Sequence, residues 1–147
     1  MKLIIAWIGK TKEPAIQSLT DEYLKRLSHY VDAQGMSIKD ESVLLKLCGR
    51  EARPVRHNLV LLDSRGKQLS SEEFAGFLRN HQDRSPLPLL FAVGPANGFN
   101  AETRQEANLL LSLGKMTVAH ELARVVLLEQ LYRAFTILKG HPYHLGH

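Results

Sequence analysis

The sequence predicts an α/β fold with a mainly parallel central sheet flanked by helices. Apolar runs of strand length alternate with longer segments of helical period along the whole chain. The short runs are continuously hydrophobic, as strands buried on both faces are. No low-complexity linker or internal repeat divides the 147 residues, so one domain spanning residues 1–147 is expected.

Strands are expected at Leu3–Ile8, Met36–Lys39, Leu59–Asp63, Leu89–Val93 and Met116–Val118. Helices are expected to begin near Pro14, Glu41, Ser70, Asn100 and Glu121. Proline suits a first helical turn, where its missing N–H is not needed. Ser70 with Glu73 forms a capping box ahead of Phe74, Phe77 and Leu78, and Asn100 can cap a helix with Glu102 in its first turn. Gly35, Gly49, Arg53 and Pro54 punctuate a polar middle stretch that reads as a surface connection. From Leu122 to Leu138 the apolar residues are too widely spread for one stripe packed on one sheet. The second side is covered either within the chain or by the same helix of another copy, giving a two-fold homodimer.

A net charge of +4 and a pI near 9.3 favour polyanions mildly, without the charge density of a nucleic-acid-binding tail. Cys48 is the single cysteine, which excludes an internal disulfide and a cysteine-based zinc site and suits a reducing compartment. Lys10 and Lys12 interrupt the apolar run Met1–Ile8 before a signal core or membrane span is complete. A soluble, cytoplasmic protein with no membrane partner is expected.

Gly9-Lys10-Thr11 lacks the earlier glycine that a phosphate loop requires, because Ile4 stands there, and no Gly-x-Gly-x-x-Gly turn is present. Nucleotide hydrolysis and the usual dinucleotide crevice are set aside. The segment Phe91 to Phe99 runs from a strand into a loop bearing Gly94 and Gly98, the place where parallel sheets bind ligands, although a tight turn alone explains the glycines equally well. Gly114 to His120 offers small and apolar residues with free backbone groups for an adenine-sized pocket, or else a buried edge of the core. His141, His144 and His147 have a spacing that invites a metal, but Pro142 and Gly146 oppose a regular helix, and no metal is expected. Glu129 and Arg133 have helical ion-pair spacing, and the clusters Lys25-Arg26 and Arg50, Arg53, Arg56 read first as solvated faces.

Several segments resemble one family nearly end to end. They are Gly9, Tyr23-Leu24-Lys25-Arg26, Leu61-Leu62-Asp63 with Gly66-Lys67, the Gly94-Pro95 to Gly98 loop, Lys115 to His120, Leu128 to Phe135, and His141-Pro142-Tyr143-His144. The resemblance is to the RlmH-type large-subunit (23S) ribosomal RNA pseudouridine-N3 methyltransferases of the SPOUT superfamily. It implies a trefoil-knotted α/β fold, an exception to the rule that chains avoid knots, working as a homodimer. It also implies S-adenosylmethionine bound by Leu62 or Asp63, by Gly94, and by Gly114, Lys115, Met116, Thr117, Val118 and Ala119. The implied substrate is a pseudouridine in large-subunit rRNA on the assembled ribosome. Tyr143 and His144 would close over the base, with His144 accepting the proton and Arg124 or Arg133 holding phosphate or organising the interface. The sequence departs from the family pattern at Val93 and Ala119 and in a Gly94–Gly98 loop longer by about one residue. These departures motivate an alternative, a noncatalytic RNA-binding module with a degenerate knot.

Overall fold

A computed structural model describes residues 1–95 and 97–145. Its sheet has the order β2-β1-β4-β3-β5 with every pairing parallel, made of β1 Lys2–Ile8, β2 Asp32–Ile38, β3 Asn58–Gln68, β4 Leu89–Val93 and β5 Leu109–Ser112. The helices are α1 Pro14–Leu27, α2 Ser42–Cys48, α3 Ser71–Arg84, α4 Ala101–Gln105 and α5 His120–Leu138. The alternation read in the sequence is therefore present, and all five expected helix starts lie within one residue of the observed ones.

One expected strand is in the wrong place. Met116–Val118 is an exposed loop, and the fifth strand is Leu109–Ser112, pairing Leu109, Leu110 and Leu111 with Val60, Leu61 and Leu62. The run Leu109-Leu110-Leu111 carries no decisive signal in the sequence. Three leucines can extend a helix as well as form a strand, and only pairing with β3 decides it. Gly114, at φ +144°, takes the chain out of the strand.

Alternate residues of β1 feed two cores, as the two-residue period requires. Leu3, Ile5 and Trp7 pack with Leu27, Phe74, Leu127 and Leu131 under α1, α3 and α5. Ile4 and Ala6 pack with Leu44, Cys48 and Phe99 on the opposite face, where α2 lies. Gly35 belongs to β2, where a Cβ would come within 2.8 Å of Leu24 and Trp7. Gly49 to Pro54 is the irregular connection expected.

Both sides of α5 are largely covered within the chain, by α1 and α3. Ala123, Leu127, Leu128, Leu131, Ala134 and Phe135 are buried, but Leu122 and Val126, one turn apart, stay 53 % and 41 % exposed, and Leu19 on α1 is 42 % exposed. No helix among the described residues is long and apolar enough to cross a membrane.

Candidate active site

Three loops at the carboxyl edge of the sheet enclose a cavity of about 630 Å³. Leu62 to Arg65 reach it from β3, Val93 to Pro95 and Asn97 to Phe99 from β4, and Leu111, Leu113, Gly114 and Met116 to Ala119 from β5, with His120 and Ala123 of α5 closing one side. Ligands bind in parallel α/β sheets at this edge, and the volume suits a small molecule of nucleoside size. Of the nine residues expected to bind cofactor, Leu62, Asp63, Gly94, Gly114, Met116, Thr117, Val118 and Ala119 line the cavity, whereas Lys115 is exposed beside it. Position Ala96 in this loop lies outside the described residues.

Local chemistry shapes each wall. The Asp63 carboxylate is 8 % exposed, 3.2 Å from Arg104 Nε and 3.8 Å from Arg65 Nε, and it accepts the Arg65 N–H at 2.8 Å. Its charge is thus already committed to the protein. A Cβ on Gly94 would come within 2.6 Å of the Phe99 ring, which is itself buried, so this glycine lets the β4 loop fold back beside the cavity. Ser112 Oγ donates to the Gly114 carbonyl at 2.9 Å and accepts the Gly114 N–H at 3.1 Å, fixing the exit of β5. Among the described residues the backbone groups of Lys115 to Val118 have no backbone hydrogen bond. They are available to a ligand's polar edge, and Met116 and Val118, 84 % and 40 % exposed, are available to its faces.

The fit can be tested through Gly94. In Gly94→Val the added carbon overlaps the Phe99 ring and its methyls enter the cavity. We expect binding of the small ligand to weaken about a hundredfold, roughly 2.7 kcal/mol, measured by calorimetry, with the circular dichroism of the fold retained.

The tail residues form a second cluster. Arg133 Nη1 donates to His144 Nδ1 at 3.0 Å, and its Nε donates to Glu129 at 2.7 Å. With Nδ1 accepting, the ring proton sits on Nε2, which donates to Glu72 at 2.7 Å. The Tyr143 ring packs on Tyr132 with centroids 4.9 Å apart and lies 5.0 Å from the Arg133 guanidinium. Burial first, then the Glu129 carboxylate, holds the Tyr143 phenol above its ordinary pKa, so at neutral pH it keeps its proton. The tail therefore docks against α3 and α5 through Tyr143 and His144. His147, the last member of the histidine spacing, lies outside the described residues. Among the described residues no group of three or more His, Cys, Asp or Glu is placed to hold a metal.

Arg124 joins neither group. It is 1 % exposed, its guanidinium lies 4.0 Å from the Trp7 ring centroid, and Nη1 donates to Thr11 at 2.7 Å and to Thr20 at 3.4 Å. Nine residues separate it from Arg133, which on an α-helix is half a turn out of phase and about 13 Å along the axis. The arginine that meets Tyr143 and His144 is Arg133. Both are candidates from the sequence, and only the docking of the tail distinguishes them. Reasoning from sequence missed Arg65, Leu113 and Ala123 as cavity walls, which follow from how the loops fold together.

Sheet and cavity together define an α/β protein with a small-molecule site at its carboxyl edge. A family model described as "Predicted SPOUT methyltransferase" matches residues 1–144. The chain belongs to that family. It is 60 % identical over 149 residues, covering 100 % of both chains, to the Ribosomal RNA large subunit methyltransferase H of Koribacter versatilis. To the protein of that name from Geobacter sulfurreducens it is 40 % identical, over 98 % of this chain and 99 % of the other. Among solved structures, a probable methyltransferase from Bordetella pertussis Tohama I aligns with TM-score 0.56 and 11 % identity, over 90 % of this chain and 93 % of that one. The SpoU methyltransferase AviRb from Streptomyces viridochromogenes, solved with the cofactor AdoMet, aligns with TM-score 0.52 and 13 % identity, over 88 % of this chain and 56 % of that one. These two likenesses concern the fold.

Proposed function

We propose that this chain, as one domain and in the cytoplasm, methylates N3 of a pseudouridine in large-subunit ribosomal RNA on the assembled ribosome. It acts as a homodimer with S-adenosylmethionine as the methyl donor. The named relatives support the RNA substrate, and the SPOUT family supports the donor, with the loops around Gly94 and Gly114 as the proposed trefoil knot.

One observation carries the architecture of the site. The cavity touches the first turn of α5, whereas Tyr143 and His144 gather on its C-terminal half, at Tyr132 and Arg133. Ten steps of about 1.5 Å separate Ala123 on the cavity wall from Arg133, roughly 15 Å along the helix axis. Atoms that react must approach to about 3–3.5 Å. Two α5 helices packed antiparallel about a two-fold axis would bring each tail to the partner's cavity, and Leu122, Val126 and Leu19 offer apolar surface for that contact.

When bound, S-adenosylmethionine supplies an electrophilic methyl group. The chain's own work is to hold the acceptor nitrogen in line and to manage the N3 proton. Tyr143, still protonated, can donate to a base carbonyl. Arg133 can stabilise the negative charge that develops on the imide as its proton leaves. His144 can take that proton at Nδ1 once substrate draws Arg133 away, while Glu72 holds Nε2–H and so keeps the tautomer.

The deciding experiment transfers labelled methyl from S-adenosylmethionine to assembled ribosomes from a strain lacking the modification, then maps the label by mass spectrometry. Label on N3 of one large-subunit pseudouridine is expected. Cofactor binding without ribosome labelling would move the activity to another RNA, and loss of both would leave a noncatalytic module.

A further inference from the structure

The connection between β1 and α1 is held more firmly than an exposed loop needs to be. Gly9, at φ +87°, donates its N–H to the Ile38 carbonyl at 3.0 Å and accepts from Ser37 Oγ at 2.7 Å. Thr11 accepts from the buried Arg124. The N–H groups of Lys12 and Glu13 both point at Glu121 Oε1, at 3.2 and 3.3 Å. The loop is thus pinned from β2 on one side and from the first turn of α5 on the other, next to His120 on the cavity wall. The pinning is obtained although Arg124 is buried with Nε unpartnered and desolvation pulling its pKa down, an arrangement costly to the fold alone.

This fixed backbone displays Lys10 and Lys12, both exposed, and the exposed Lys39 follows the Ile38 that holds Gly9. Among the described residues none of the three lysines is in an ion pair. Of the neighbouring carboxylates, Glu121 is turned to the two amides and Asp40 to Ser42 with Lys39 beside it, so among the described residues Lys10 and Lys12 face solvent unpaired. Loosely held lysines lose rotational freedom when they bind, and a loop already ordered avoids the backbone part of that cost.

We infer that the loop Gly9–Lys12 is a preorganised phosphate-docking edge, on which Lys10 and Lys12 hold two backbone phosphates of the RNA strand leading to the cavity. The inference rests on the RNA-methyltransferase reading and adds to it the path of the strand, across the ends of β1 and β2. Cations on the opposite, amino edge of the sheet, such as Lys2, and at the end of α3, such as Arg84, do not contribute.

The test measures ribosome binding by the full-length protein with S-adenosylhomocysteine bound, from 50 to 300 mM salt, so that it does not depend on turnover. Lys10→Gln/Lys12→Gln is expected to weaken binding about tenfold at 150 mM salt. It should lower the slope of log affinity against log salt by about 1.4, the release expected for two single-strand phosphates, and leave cofactor affinity unchanged. Lys2→Gln/Arg84→Gln removes the same charge and is expected to change neither binding nor slope by more than a small fraction of this. Equal losses in both double variants would show a diffuse charge effect and overturn the inference, as would an unchanged slope in Lys10→Gln/Lys12→Gln. Binding by the parent protein without methylation would overturn the proposed function while the slopes still decide the docking edge; failure of the parent to bind ribosomes would overturn both.

Discussion

Arg133→Met is expected to bind cofactor as the parent protein does and to transfer methyl about 10²–10³-fold more slowly, the usual loss when one donor aimed at developing charge is removed. Arg133 holds three groups at once: Glu129 at 2.7 Å, His144 Nδ1 at 3.0 Å, and the Tyr143 ring at 5.0 Å. The hydrogen bond it donates to Glu129 raises its already high pKa, so it is a permanent cation at any working pH. Methionine keeps much of the aliphatic stem that packs on the helix and removes only the fork. Arg133→Lys should recover little, since an ammonium cannot reproduce a planar guanidinium that meets Glu129 and His144 together. Single-turnover methylation of ribosomes measures the effect, and calorimetry with S-adenosylhomocysteine measures the control. Arg124→Met gives the contrasting pattern, a lower melting temperature, because that side chain is buried against Trp7 and Thr20.

Leu122→Glu combined with Val126→Glu should convert the proposed dimer to a folded monomer with no measurable turnover. These two side chains lie one turn apart on the exposed face of α5, and neither is needed by the chain's own core. Substitutions at such surface sites cost a single chain about 0.5 kcal/mol or less each. Across a two-fold axis each is counted twice, and four carboxylates would meet in an apolar contact where burying one unpaired charge costs several kcal/mol. Analytical ultracentrifugation reads the oligomeric state, and thermal unfolding shows whether the subunit stays folded. A dimer that persists with full activity would remove the proposed interface.

The sequence made the fold legible where local signals agreed. Ser70 with Glu73, Asn100 and Pro14 each announce a helix start, and all three caps or first-turn roles are observed. The fifth strand was not legible, because Leu109 to Leu111 become a strand only by pairing with β3, a contact across nearly fifty residues. The cavity was half legible. Gly94 and Gly114 punctuate loops at strand ends, and six further residues named through the family resemblance, Leu62, Asp63, Met116, Thr117, Val118 and Ala119, line the cavity with them. Phe99 and Ala123 carry no signal of their own, since an aromatic and an alanine read equally as core. The choice between Arg124 and Arg133 depended on helix phase relative to a tail whose docking onto Glu72 no periodicity announces. The width of the apolar face on α5 suggested a second copy, yet α1 and α3 cover most of it, and the exposed remainder is Leu122 and Val126.

The central claim is that one active site is built from the cavity of one chain and the tail of another. It is tested most directly by mixing two impaired proteins at a cofactor concentration too low to load the first, Gly94→Val, with its cavity blocked, and Arg133→Met, with its tail cluster disabled. After subunits exchange at equal concentration, half of the dimers are mixed and each mixed dimer holds one site with both parts intact. Activity should return to about a quarter of the parent's. No recovery, with mixed dimers confirmed by native mass spectrometry, would mean that cavity and tail act within one chain and would contradict the account.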